Sequence, residues 1–132
     1  MDRRPRRNRK SYALRSLSQE TRLSPSDLIV PFFVIDGHGK REEIESMPLL
    51  MRYSVDQLLD EASYLFQQGI KSIILFPVVA ESKKDARGTE AFKENNLMCR
   101  AVQALKKYIP QLCVMTDVAL DPYTDHGHDG VL

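Results

Sequence analysis

The stretch from Ser54 to Val79, SVDQLLDEASYLFQQGIKSIILFPVV, decides the fold because it predicts a helix followed by a buried strand. Ser54 and Gln57 have the spacing of a capping box, in which the serine oxygen accepts the amide of the third helical residue. Gly69 supplies the left-handed stop of the helix. The run from residue 70 to 79 has the length and apolar composition of a strand buried on both faces. The apolar stripe of the helix consists of Val55, Leu58, Leu59, Ala62, Leu65 and Phe66.

A second apolar run precedes this unit. Residues 28–35 are β-branched or aromatic almost throughout and predict another buried strand. Pro31 cannot donate a hydrogen bond to a neighbouring strand, which argues against a regular central position. Residues 36–52 predict a connection, and His38 within it is expected to be a solvated loop residue.

A second helix and a third strand follow. Residues 80–96 are polar and predict a long loop, after which Asn96 caps a helix that extends to about Ile109. Residues 112–115 predict a strand that leads to Asp117. Apolar strands that alternate with amphipathic helices favour an α/β fold with a parallel sheet, whose ligand site lies at the carboxyl ends of the strands. The inner face of the second helix is expected to carry Leu97, Ala101, Ala104, Leu105 and Tyr108.

The composition is that of an ordinary globular domain. The 132 residues are 42% hydrophobic and 28% charged, with a net charge of +1. This balance argues against a surface devoted to nucleic acid or membrane, and no apolar run is long enough to span a bilayer. Cys99 and Cys113 lack the spacing of metal ligands, so we expect buried thiols in a reducing compartment, the cytoplasm.

Residues 1–25 predict a basic N-terminal arm. A tail of this kind could contact RNA or DNA, but no aromatic residues interleave the charges, which favours a solvated or subunit-contacting arm. Apolar residues between Tyr12 and Leu17 have helical spacing and predict a short helix that docks on another surface. The basic residues of the first ten positions are Arg3, Arg4, Arg6, Arg7, Arg9 and Lys10.

The segment from Asp117 to Gly130 concentrates the polar chemistry of the chain. Its aspartates recur every four residues, but proline and glycine make a helix improbable, so the segment is expected to be a loop. Carboxylates with imidazoles suit a hard cation such as Mg²⁺ better than zinc, or an acid–base pair. The alternative is a polar turn with local hydrogen bonds. Its position after a strand favours a functional loop. The polar residues are Asp117, Asp121, Asp125, His126, His128 and Asp129.

This loop resembles the signature loop of the porphobilinogen synthase family, also called 5-aminolevulinate dehydratase. The matching residues run from Asp117 to Gly130 with the exception of position 125. Further segments resemble the same family in order and spacing along the whole chain, at residues 3–7, 20–29, 75–78, 88–91, 96–97 and 100–101.

The resemblance implies the N-terminal part of a (β/α)₈ TIM barrel, with an arm over residues 1–25 and an incomplete barrel domain over 26–132. It implies an enzyme, a lyase that condenses two molecules of 5-aminolevulinate to porphobilinogen with loss of water, and a homo-oligomer, commonly an octamer, formed through the arm. The family's Schiff-base lysines match no lysine here, and Lys83 and Lys84 are expected to be solvated. The isolated chain is therefore predicted to be inactive. The alternative is a non-catalytic truncated module that docks on a full-length partner through its arm.

The resemblance also implies the site residues. Asp117, Asp121 and Asp129 would line the active site as catalytic residues, with Phe76 as a substrate-binding neighbour. Zinc-using members carry cysteine where this chain has Ala119, Asp121 and Asp129. The expected cofactor is therefore Mg²⁺ or a monovalent cation, with Asp121 and Asp129 as candidate metal ligands and no catalytic zinc–cysteine site. No nucleic-acid or membrane partner is expected.

Overall fold

The computed structural model describes residues 6–131 and contains one five-stranded sheet in the order β2-β3-β1-β4-β5. The strands are β1 (Ile29–Ile35), β2 (Arg41–Glu43), β3 (Met51–Tyr53), β4 (Ser72–Val78) and β5 (Cys113–Thr116). The helices are α1 (Tyr12–Leu17), α2 (Val55–Gln67) and α3 (Leu97–Tyr108). β3, β1, β4 and β5 pair in parallel, and only β2 is antiparallel to its neighbour. The predicted alternation of strands and helices is confirmed.

The core lies between the sheet and α2 and α3. The predicted stripe of α2 faces it, with Leu58 and Ala62 fully buried. In α3 the predicted inner residues Leu97, Ala101 and Leu105 are buried too. Tyr108 was predicted to join them and is instead 66% exposed, because Ile109, just past the helix end, takes the inner position.

The connection between β1 and α2 contains structure that the sequence did not predict. β2 and β3 form a hairpin there, and hydrogen bonds of Ser54 stabilise its open end. The Ser54 hydroxyl accepts the amide of Lys40 at 2.9 Å and donates to the Asp56 carboxylate at 2.7 Å. It caps no amide of α2, so the predicted capping box is wrong. Asn96 does cap α3 as expected, by accepting the amide of Cys99 at 2.8 Å.

Pro31 keeps a regular place in β1, which is the middle strand of the sheet, so the expectation against such a position is wrong. It pairs in register with Ile74 of β4. The ladder with β4 runs without a break from Ile29 to Ile35, which indicates that the Pro31 nitrogen, having no N–H to donate, faces away from β4. On that side β3 pairs only with Phe33 and Val34, so no donor is needed at position 31.

The sheet has two different faces. Ile73 and Leu75 point into the core beneath the helices. The alternate residues Ile74 and Phe76 lie on the opposite face and are only half-buried. Cys113 begins β5 at the outer position of the sheet and is exposed, so the prediction of a buried thiol is wrong there.

The arm is partly described. Residues 1–5, which carry Arg3 and Arg4, lie outside the described residues. The predicted short helix is confirmed as α1, with its N-terminal amide of Leu14 capped by Ser11 at 3.3 Å. Among residues 6–131, no helix is long and apolar enough to cross a membrane.

Candidate active-site loop

Three polar segments meet at one edge of the sheet because β1, β4 and β5 are parallel and end on the same side. Asp36 follows β1, a loop over residues 79–96 follows β4, and the loop Asp117–Gly130 follows β5. The last of these, hereafter the site loop, contains one 3₁₀ turn at Asp121–Tyr123 and an isolated bridge at Thr124 and is otherwise irregular, so the predicted loop is confirmed. This edge is where ligands bind in parallel α/β folds.

Asp129 closes the site loop. One of its carboxylate oxygens accepts the backbone amide of Leu120 and that of Asp121, the latter at 3.1 Å. The structure therefore brings Asp129 against the backbone of Asp121, eight residues earlier. Asp117 is not part of this contact: it lies exposed at the exit of β5. The catalytic roles of the three aspartates stay predictions.

Two buried residues anchor the site loop to the rest of the domain. Tyr123 is 6% exposed and Thr124 is 1% exposed. The Thr124 hydroxyl lies 2.9 Å from the carbonyl of His128 and 3.3 Å from that of Asp121, so it links both halves of the loop. Burial raises the pKa of the Tyr123 phenol, which keeps this side chain neutral.

The two histidines of the site loop, His126 and His128, have different environments. His126 Nε2 lies 3.2 Å from the carbonyl oxygen of Ala86, and its Nδ1 accepts the amide of His128 at 3.3 Å. In the tautomer that carries its proton on Nε2, the ring donates to Ala86 and accepts from His128. The His128 ring stacks beside it with centroids 6.1 Å apart. Both ring nitrogens of His126 are thus used in holding the loop.

Phe76 lies on the open face of the sheet. Its ring packs against Phe33 of β1 with centroids 5.6 Å apart. The two residues are register partners near the carboxyl ends of their strands. Phe76 is therefore on the edge expected for a substrate neighbour, but its role as one stays a prediction.

An ionic cluster beside the site loop was missed in the sequence. Asp36 accepts hydrogen bonds from Lys83 Nζ at 2.7 Å and from the Arg100 guanidinium. The hydrogen bond from Lys83 holds the pKa of Asp36 below its ordinary value. Lys83 is exposed, as expected, although paired with Asp36, whereas Lys84 is partly buried and binds Glu81 at 2.6 Å, so the expectation of a solvated lysine is wrong at position 84. An aspartate directly after a predicted strand was the available signal.

Two cavities flank the site loop. One of about 510 Å³ lies between α3 and residues 116–123, on the helix side, and is lined mainly by apolar side chains such as Met98, Val102 and Leu120. The other, of about 570 Å³, is lined by Ala86, His126, His128 and Asp129 among others. Only the second is bordered by a predicted site carboxylate together with both histidines.

The donors fit a hard cation better than zinc, but they form an incomplete ligand set. Within residues 6–131, no three His, Cys, Asp or Glu side chains are grouped so as to hold a metal ion. One oxygen of Asp129 is already engaged by two amides. Asp121 and Asp129 as metal ligands therefore stay a prediction, and Mg²⁺ commonly takes only one or two protein carboxylates with water.

The strands are parallel, helices join them on one face of the sheet, and polar loops follow their carboxyl ends. This is the arrangement of one segment of an α/β-barrel enzyme. The family model described as "Delta-aminolevulinic acid dehydratase" matches residues 2–132. The chain belongs to the delta-aminolevulinic acid dehydratase family.

Individual relatives agree with this assignment. The chain is 47% identical over 131 residues to a delta-aminolevulinic acid dehydratase of Chlamydia pneumoniae. The match covers 99% of this chain and 40% of that protein. It is 50% identical over 129 residues to the enzyme of the same name from Bradyrhizobium diazoefficiens, and this match covers 98% of the chain and 36% of the relative. The chain therefore spans about one-third to two-fifths of the length of the curated relatives it matches.

A solved structure confirms the fold. The crystal structure of the porphobilinogen synthase of Toxoplasma gondii, in complex with its product porphobilinogen, superimposes with a TM-score of 0.91 at 43% identity. The match covers 100% of this chain and 37% of the other. The predicted partial TIM barrel is thus confirmed.

Proposed function

We propose that these residues supply the site-loop portion of a delta-aminolevulinic acid dehydratase, which condenses two molecules of 5-aminolevulinate to porphobilinogen with loss of water. The observation that carries the proposal is the superposition, at 43% identity, on a porphobilinogen synthase with its product bound. The closure of the site loop by Asp129 at the carboxyl edge supports it, because that edge is where barrel enzymes bind substrate.

The side chains of the site loop suit this reaction. 5-Aminolevulinate carries an amino group, which in its cationic form pairs with a carboxylate such as Asp117 or Asp121. Loss of water requires proton transfers, for which positioned carboxylates serve as acids and bases. Phe76 offers an apolar surface beside them. The Schiff base that the family forms with substrate requires lysines that match none in this chain.

We propose that the cofactor is Mg²⁺ or a monovalent cation and that Asp121 and Asp129 of the site loop hold it. The support is the chemistry of the donors: the site loop presents oxygen ligands, and both cysteines of the chain lie outside it. A bound cation would polarise an oxygen of substrate or water. A reducing, cytoplasmic location is proposed from the two free thiols.

We propose that the arm joins copies of the whole protein into a homo-oligomer, with the family's octamer as the expected form. Tyr12 and Leu17 of α1 support this, since they are 79% and 82% exposed and would bury apolar area against a partner. Leu23, in the segment that follows α1, is 77% exposed and could bury further apolar area.

A hybrid chain tests the proposed activity. Residues 1–132 are joined to the part of the Bradyrhizobium diazoefficiens relative that follows its matching segment, and porphobilinogen formation is measured by chromatography. We expect the hybrid to be active and residues 1–132 by themselves to be inactive. Asp121→Asn should reduce kcat at least tenfold, whereas Asp125→Asn, in the same loop, is the matched control. A folded hybrid without activity would refute the proposal.

A further inference from the structure

Hydrogen bonds tie the loop after β4 to the site loop at one narrow point. The amide of Asp85 donates to the carbonyl of Tyr123 at 3.4 Å, and the amide of Asp125 donates to the carbonyl of Asp85 at 3.2 Å. Asp85 and Thr124 thereby form an isolated parallel bridge. One residue on, the Ala86 carbonyl contacts His126. The backbone at Asp85 and Ala86 is thus hydrogen-bonded to Tyr123, Asp125 and His126, which precede His128 and Asp129.

The side chain of Asp85 fixes the shape of this gripping backbone. Its Oδ1 accepts the amides of Arg87 at 2.8 Å and Thr89 at 3.1 Å, which is the bonding of an Asx turn. The amide of Gly88 also donates to the Asp85 carbonyl at 3.2 Å. These bonds, first of all those from Thr89, hold the pKa of Asp85 below its ordinary value, so the carboxylate is charged and a strong acceptor at neutral pH.

Side-chain packing also holds the turn after Asp85 against the site loop. Gly88 has φ +63°, and a Cβ at that position would lie 3.4 Å from Cβ of Tyr123 and 3.6 Å from Cγ2 of Thr124. The turn therefore lies directly on the two buried anchors of the site loop. On the other side of the turn, Lys83 is held by Asp36 at the end of β1. Asp85 therefore lies between the Lys83–Asp36 ion pair at the end of β1 and the site loop, which carries Asp121 and Asp129.

We propose that Asp85 is a positioning residue: its carboxylate shapes the turn whose backbone holds the site loop in register with the sheet. It makes no hydrogen bond to Asp121 or Asp129, and acts on them through the Tyr123–His126 segment. The inference rests on the proposed function for its effect on catalysis, although the structural effect on the site loop is independent of it. Misplacement of catalytic groups by about 1 Å costs on the order of 100-fold in rate.

The test compares three substitutions in the hybrid chain: Asp85→Ala, Asp85→Asn and Asp85→Glu. Asparagine keeps a short side-chain oxygen for the Arg87 and Thr89 amides, whereas glutamate keeps the charge and moves the acceptor. Asp60→Ala on the exposed face of α2 is the control. The measurements are kcat and KM for 5-aminolevulinate, and hydrogen exchange of the Asp125 amide.

We expect Asp85→Ala to lower kcat about 10- to 100-fold and to speed exchange of the Asp125 amide at least tenfold. Asp85→Asn should stay within about fivefold of the parent on both measures, and Asp85→Glu should behave like alanine. If Asp85→Ala does not fold, the contrast between asparagine and glutamate still decides. Glutamate matching the parent while asparagine fails would overturn the proposal, as would unchanged exchange in a folded alanine variant. An inactive parent with the expected exchange pattern would refute the proposed function alone.

Discussion

Replacement of Asp129 by alanine and by asparagine separates two roles that this residue combines in the structure. One Asp129 oxygen accepts the amides of Leu120 and Asp121, and its other oxygen is the candidate ligand for a cation or for substrate. Alanine removes both oxygens. Asparagine keeps one neutral acceptor for the two amides and loses the negative charge.

The magnitudes follow from the contacts. Each hydrogen bond contributes about 0.5–1.5 kcal/mol net, so the loss of two gives an upper range of about 3 kcal/mol. Asp121 is exposed and Leu120 only half-buried, so water can replace the acceptor and the lower half of that range applies. We therefore expect Asp129→Ala to cost about 1–2 kcal/mol and Asp129→Asn less than about 0.5 kcal/mol.

The assay uses the hybrid chain and compares stability with activity. Chemical unfolding gives the free energy of unfolding, and hydrogen exchange reports the two amides directly. We expect asparagine to retain stability while kcat/KM falls at least 100-fold, because the charge is lost at the reacting edge. If asparagine retained full activity, the role of Asp129 would be confined to closing the loop. If alanine left exchange of the two amides unchanged, the described loop closure would not exist in solution.

Four further predictions concern other residues of the structure and the proposed cofactor. Thr124→Val should destabilise the hybrid by about 1 kcal/mol, since it removes one neutral donor at nearly constant volume, as measured by chemical unfolding. Lys83→Gln should raise the pKa of Asp36 towards its ordinary value, because the hydrogen bond that lowers it is lost; carboxyl NMR titration measures this. The pKa of Asp56 is lowered to about 2, first by the Ser54 hydroxyl, so its stabilising contribution is complete above about pH 4 and is lost as the pH falls towards 2; the stability difference from Asp56→Asn should shrink over that window. Removal of Mg²⁺ and monovalent cations should lower activity of the parent hybrid, and zinc should not restore it.

The elements with a strong apolar period were predictable from the sequence. The stripe of α2 and the run through Ile73–Phe76 are fixed by local pattern, and so their type and order came out correctly. β2 is a counterexample, because its three residues are Arg41, Glu42 and Glu43 and carry no apolar signal. Its pairing depends on tertiary neighbours that the sequence does not reveal.

The site was predictable in composition and not in arrangement. The site loop was found as a polar segment after a strand, yet the closure by Asp129 needed its backbone path. The contacts of Asp36 with Lys83, 47 residues away, and of His126 with Ala86, 40 residues away, join positions that no local spacing connects. Asp85, inside a stretch predicted only as a polar loop, carried no signal of its own.

The orientation of Pro31 has a consequence for how the sheet can be extended. With its nitrogen turned from β4, the N-terminal half of β1 presents an outer edge on which position 31 offers no amide donor. β5 lies at the other side of the sheet, with its second edge unpaired among the described strands. Unwanted strand addition, the first step of aggregation, is therefore disfavoured at β1. Among the described strands, β5 therefore keeps the unpaired edge at which another strand can add.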